Sequence, residues 1–177
     1  MATWDADVES TGGLDFRLVR NTFVTMFWRP SVLDETVTWL RSHGYDVVEF
    51  EASSWSSAAH MFVDVARGLS FPAYFGRNLD ALNDCIRDVA AGDYGWSAEG
   101  TGLVIVLRGF DVFAGVDPRT AQIMLDIFAT QGRSALLVGN RMICLVQSND
   151  ARLAFDPVGA TPVMWNDAEW FDSNRGL

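Results

Sequence analysis

Two cysteines and two histidines are all that the 177 residues contain, and 13 basic side chains face 23 acidic ones. Each scarcity excludes something. Two cysteines build no disulfide framework. Cys85 and Cys144 both sit among apolar neighbours and read as small buried hydrophobes. No CxxC, HExxH or EF-hand spacing is present, so no metal site is expected. A net charge of −10 leaves few cations to neutralise phosphates, which argues against nucleic acid as the direct ligand. The same charge suits a basic partner attracted over distance, although solubility alone also accounts for an acidic surface. No apolar run approaches the roughly 20 residues that span a bilayer. The segment MATWDADVESTGG has neither the basic n-region nor the apolar h-region of a signal peptide. The expectation is a cytoplasmic protein without a membrane partner. GxSxG, Walker and GxGxxG loops are missing too. His43 falls in the last turn of a predicted helix, where a cation meets the C-terminal dipole. His60 falls early in another helix, and nothing nearby orients either ring as a general base. No cofactor and no enzymatic activity are expected.

What is present is core-forming material: 49% hydrophobic residues, 12% aromatic residues and seven tryptophans. That argues against disorder and suits one ordinary domain with an added lobe. Residues 1–13 read as a loose tail. FRLVR (16–20) and TFVTMFW (22–28) are β-rich runs and predict a hairpin or two short strands. Pro30 and Ser31 open a helix, with Ser31 and Asp34 spaced as a capping box. Leu33, Val37 and Leu40 form its apolar stripe and Gly44 ends it. YDVVEFEA (45–52) predicts a strand and residues 56–67 a helix closed by Gly68. GLVIVLRGF (102–110) is apolar enough for a strand covered on both faces. Asp117 and Pro118 cap and start a helix that reaches Gln131 before Gly132. ALLV (135–138) and RMICLVQS (141–148) predict a final strand or hairpin. Strands alternating with helices define an α/β layer with a largely parallel sheet. The last 28 residues lack periodicity and predict an irregular arm pinned by its tryptophans.

One helix asks for an explanation. If it starts near Asn78, then Asp80, Asp84 and Asp88 fall at i, i+4 and i+8, about 40° apart around the axis. Leu79, Leu82, Cys85, Ile86 and Val89 fall opposite. Like charges at i, i+4 cost an isolated helix roughly 0.2–0.5 kcal/mol per pair. The row follows a loop carrying Tyr74, Phe75 and Gly76, in which Gly76 is read as the positive-φ hinge and Asn78 as the N-cap. As catalytic groups, Asp80 and Asp84 need a pKa raised by burial or by a close like charge. A solvated face offers neither, and Arg87, at i+3 from Asp84, keeps that carboxylate ionised. As binding groups the carboxylates need only a basic cleft, for which they substitute for phosphates. Asp80 also serves the helix dipole, Asn78 also serves only as a cap, and Asp88 also reads as merely solvated.

The segment PAYFGRNLDALNDC (72–85) resembles the signature of the barstar family, intracellular inhibitors of small secreted microbial ribonucleases. The matching positions are Pro72, Tyr74, Phe75, Gly76, Asn78, Leu79, Asp80, Ala81, Leu82, Asp84 and Cys85. With the flanking order of elements, the resemblance covers about residues 45–148. It implies an α/β fold in which a small parallel sheet is packed by helices, here extended by an N-terminal β–α unit (1–44) and a C-terminal arm (149–177). It implies that Tyr74 lies against a ribonuclease's base-binding region and that Gly76 and Asn78 shape the contact loop. It also implies that Asp80 pairs with basic groups and that Asp84 enters the active site as a phosphate mimic.

Other positions depart from the family pattern. Asn83 stands where an aromatic contact is usual, and Asp88 and Val89 stand where a glycine and a tryptophan are usual. Arg77 replaces an acidic residue, and Thr130, without a carboxylate, stands near the position of a contacting glutamate in the family pattern. The expected function is inhibition of a basic ribonuclease or ribonuclease-like toxin by steric and electrostatic occlusion, through Tyr74, Gly76, Asn78, Asp80, Asn83, Asp84 and Asp88. The alternative is a module on the same scaffold that binds a basic partner other than a ribonuclease.

Overall fold

The computed structural model describes residues 13–97 and 99–175. The expected tail lies outside the described residues except for Gly13. The elements are α1 (Leu14–Val19), β1 (Val24–Phe27), α2 (Pro30–Ser42), β2 (Tyr45–Glu51), α3 (Ala58–Gly68) and α4 (Leu79–Ala91). They continue as β3 (Gly102–Arg108), α5 (Phe110–Val116), α6 (Pro118–Leu137), β4 (Met142–Gln147) and the two-residue β5 (Met164–Trp165).

The strands form one parallel sheet in the order β2-β3-β4-β1-β5. Its centre is β3, whose alternate residues enter two separate cores because helices cover both faces. Val104 and Val106 join Leu33, Val37 and Leu40 of α2 and Leu18 of α1. Leu103, Ile105 and Leu107 join α3, α4, α5 and α6. Each such fully buried aliphatic side chain contributes roughly 1.5–3 kcal/mol, which is why β3 reads as a nearly unbroken apolar run. Strands β2 to β4 make the small parallel sheet expected from the family resemblance. The N-terminal β–α unit extends it, with Val24 to Phe27 paired to Cys144 to Gln147. Cys85 and Cys144 are buried, as read.

Four local expectations need correction. FRLVR is not a strand: its residues lie in α1, or follow it directly, because Leu14 and Leu18, four apart, turn inward together against α2 and β1. ALLV is not a strand either, since α6 runs on to Leu137. Gly132 does not stop α6; a Cβ there would lie 3.0 Å from the Met142 carbonyl oxygen, so the glycine permits close passage of helix over strand. Ser31 is not a cap, because α2 begins at Pro30 and Asp34 reaches Arg108 instead, at 2.7 Å. Helix α5 was not foreseen; it places Phe110 and Phe113 in the core, Phe113 edge-on to Trp55 with centroids 5.2 Å apart.

The arm is held by charge more than by tryptophan. Glu169 is fully buried, at 0% exposure. It accepts hydrogen bonds from the backbone N–H of Trp28 and Arg29, both at 2.8 Å, and from Arg29 Nε at 3.1 Å. Asn166 donates to it as well, at 2.5 Å. Burial alone would raise the Glu169 pKa, but these donors outweigh it and hold the carboxyl below its ordinary value. Arg175 stacks 4.0 Å above the Trp165 ring and donates to the Glu169 and Ala151 carbonyls. Trp170 stays partly exposed.

Candidate protein-docking face

The loop before α4 is built from the inside. The Phe71 N–H donates to the Ala66 carbonyl at 2.9 Å and the Phe75 N–H to Pro72 at 3.0 Å. Phe75 then packs edge-on against Phe71 and Phe62, with centroids 5.0 and 6.1 Å away. With Phe75 pulled inward, the adjacent Tyr74 is thrust out and is 79% exposed. An apolar ring so exposed stabilises nothing within the chain and is available to a partner. The positive φ of this loop falls at Arg77 (+50°) and not at Gly76, which corrects the expected hinge. Gly76 is needed for closeness instead, since a Cβ there would sit 3.2 Å from Asn78 Nδ2.

Asn78 caps α4 as expected. Its Oδ1 accepts from the Ala81 N–H at 2.8 Å, and its Nδ2 donates to the Gly76 carbonyl at 3.3 Å. The side chain thus fixes loop and helix together. The other end of α4 is closed by Gly92 in the left-handed region and by Asn140, whose Nδ2 donates to the Ala90 and Ala91 carbonyls at 3.0 and 2.9 Å. Trp96 donates to the Val89 carbonyl at 2.8 Å and Tyr94 to that of Cys85 at 3.2 Å. Burial pushes both the Tyr94 hydroxyl and the Cys85 thiol upward, so neither is ionised at neutral pH. Tyr94, Trp96 and Asn140 were not picked out from the sequence, because each acts across a loop.

Leu82, Cys85, Ile86 and Val89 are buried and set the opposite face outward. Asp80 and Asp84 are exposed there, while Asn83 and Asp88 are half-buried at its two flanks. Arg87 stands among the carboxylates, its guanidinium 3.1 Å from Asp84 and 3.7 Å from Asp88. Asn83 is turned toward α6, where Gln131 Nε2 donates to its Oδ1 at 2.9 Å. Thr130, beside Gln131, is exposed. The C-terminal arm reaches this same place, for a Cβ on Gly159 would lie 3.1 Å from the Thr130 nitrogen. Tyr74, Gly76, Asn78, Asp80 and Asp84 therefore occupy one end and one face of α4, with Asn83 and Asp88 at its edges.

Among the described residues no group of three or more His, Cys, Asp and Glu side chains could hold a metal ion. No helix there is long and apolar enough to cross a membrane. Both Asp80 and Asp84 stand in solvent without the enclosure acid–base chemistry uses. What the face offers is fixed acceptors for positive charge beside an outward aromatic ring, on a helix held at both ends. The scaffold beneath this face is α/β with a parallel sheet.

The family described as Barstar (barnase inhibitor) matches residues 45–147, and the chain belongs to that family. No curated protein matches the chain. The match runs from β2 to β4 and so contains the loop and all of α4. It points to a barnase-inhibitor-like role, in a family of inhibitors and not enzymes.

Proposed function

We propose that this protein inhibits a small basic ribonuclease or ribonuclease-like toxin inside the cell that makes it, by occluding the enzyme's active site with α4 and the loop before it. The observation that carries this reading is Tyr74 standing 79% exposed beside a helix whose capped first turns present Asp80 and Asp84 to solvent. A ribonuclease cleft is lined by cations that hold phosphodiesters. Asp84 enters it and offers two oxygens to guanidinium groups in place of a phosphate. Asp80 meets the cations at the cleft's edge, and Tyr74 covers the place of a base. No covalent step is involved, so inhibition is reversible and competitive with RNA. Residues 45–148 form the docking unit, and the described parts of the N-terminal unit (13–44) and of the arm (149–175) buttress it.

The test is cleavage of a fluorogenic RNA by a panel of small basic microbial ribonucleases, barnase among them, with and without the protein. Inhibition by wild type that Asp84→Ala abolishes supports the reading; unimpeded cleavage of RNA throughout the panel refutes it.

A second reading has its own support. Asp88 is shared with Arg87, Asn83 is tied to α6, and Thr130 offers no carboxylate. The rim therefore differs from the family pattern while the centre keeps it, which also suits a basic partner other than a ribonuclease. In that case Asp84→Ala leaves every ribonuclease assay unchanged.

A further inference from the structure

Asn83 lies between Asp80 and Asp84 in sequence, yet its amide is not free to turn. Gln131 is a buried polar residue, 7% exposed, inside a helix otherwise packed on apolar groups. Among the described residues its side chain makes one hydrogen bond, from Nε2 to Asn83 Oδ1, 2.9 Å long. An amide carries its acceptor and its donors on opposite branches. With the Asn83 oxygen held by Gln131, its NH2 is the free edge of the amide and has no hydrogen-bond partner among the described residues.

We propose that Gln131 is a positioning residue that makes Asn83 a fixed hydrogen-bond donor within the acidic face, and that the partner supplies an acceptor opposite it, either a main-chain carbonyl or a carboxylate. The proposal rests on the inhibitor reading for its partner, but the orientation of the amide stands on the protein alone. It sets a requirement that charge does not: the cleft that accepts Asp84 must present, one residue away, a hydrogen-bond acceptor. Any cleft lined by cations alone is rejected, because burying the unpaired Asn83 donor carries the desolvation penalty of a lost hydrogen bond.

Two measurements on the full chain test this. The first needs no partner. In the 15N spectrum of wild type, the Gln131 side-chain NH2 should exchange with water at least about tenfold more slowly than that of Asn83. In Gln131→Met, which keeps the volume and removes the donor, the two Asn83 amide protons should move toward averaged shifts while backbone resonances elsewhere stay in place. Protection of the Asn83 NH2 in wild type, or an Asn83 unaffected by Gln131→Met, overturns the proposal. The second uses barnase and the other panel ribonucleases. Asn83→Asp keeps an oxygen for Gln131, adds a negative charge and turns the outward donor into an acceptor. Charge alone predicts tighter binding to a basic enzyme; the proposal predicts binding about tenfold weaker than wild type. Binding as tight as wild type or tighter overturns the acceptor assignment. If wild type itself inhibits nothing, the inhibitor reading fails and takes the partner's acceptor with it, whereas the exchange rates still decide how the amide is held.

Discussion

Asp84 already has a cation. Its ion pair with Arg87 is exposed on both sides, with side chains 62% and 60% accessible, so water screens it and it contributes little. Within a desolvated cleft the same carboxylate matters far more. Replacing it with alanine is expected to weaken binding by about 2–5 kcal/mol, read as the shift in inhibition constant. Its effect on unfolding should stay within about 0.5 kcal/mol, as for other surface sites. Arg87→Ala acts in the opposite sense, because a partner's guanidinium then no longer competes for Asp84. Binding to a basic enzyme should tighten several-fold, and unchanged or weaker binding would show that Arg87 itself touches the partner. Tyr74→Ala is expected to lower affinity with little change in the urea midpoint, since the ring is 79% exposed.

At the scale of elements, the docking face depends on both ends of α4 being tied. Asn78→Ala removes the cap and the link to Gly76, and should cost about 1 kcal/mol in urea unfolding, with a loss of affinity beyond what stability explains. The arm is tied by Glu169 instead. Its folded pKa lies below the unfolded one, so its stabilisation is complete above the unfolded value, about 4.3. That stabilisation is lost as pH falls through the lower folded value. Urea midpoints measured downward from neutral pH should therefore drop in acid for wild type. Glu169→Gln should remove that part of the dependence while costing about 1.5–3 kcal/mol at neutral pH, the range for hydrogen bonds to a charged group. These ties explain what was legible in the sequence. Asn78, Asp117 and Pro118 act within three residues of their own position, and they could be read directly. The apolar run of β3 and the inward face of α4 were legible because periodicity is local. Glu169, which bonds Trp28 and Arg29 some 140 residues away, leaves no local signal. FRLVR and ALLV misled because short apolar runs suit strand and helix equally, and packing decides between them. Gly132 and Gly76 were misassigned for one reason: a glycine required by close approach looks in sequence like a glycine required by a turn.

For the whole molecule, one five-stranded sheet joins the matched unit to the strands added on either side of it in sequence. Strands β2 to β4 carry α4, and β1 with β5 widens the sheet on the side away from β2. The proposed docking face lies within the family core, and among the described residues the arm approaches it at Thr130, next to Gly159. A net charge of −10 gives the molecule a field that draws basic partners. Association with a basic ribonuclease should slow steeply as salt rises from about 0.05 M to about 0.5 M, while dissociation changes little. Stopped-flow rates that ignore salt would remove charge from the account of encounter. The most direct test of the central claim is a paired capture experiment. Wild type and Asp84→Ala are immobilised side by side and exposed to lysate and culture medium of the native host, and the eluates are assayed for RNA cleavage. The account predicts a small basic RNA-cleaving protein held by wild type and missing from the Asp84→Ala eluate. Equal retention on both, or a wild-type eluate that cleaves no RNA, would contradict it.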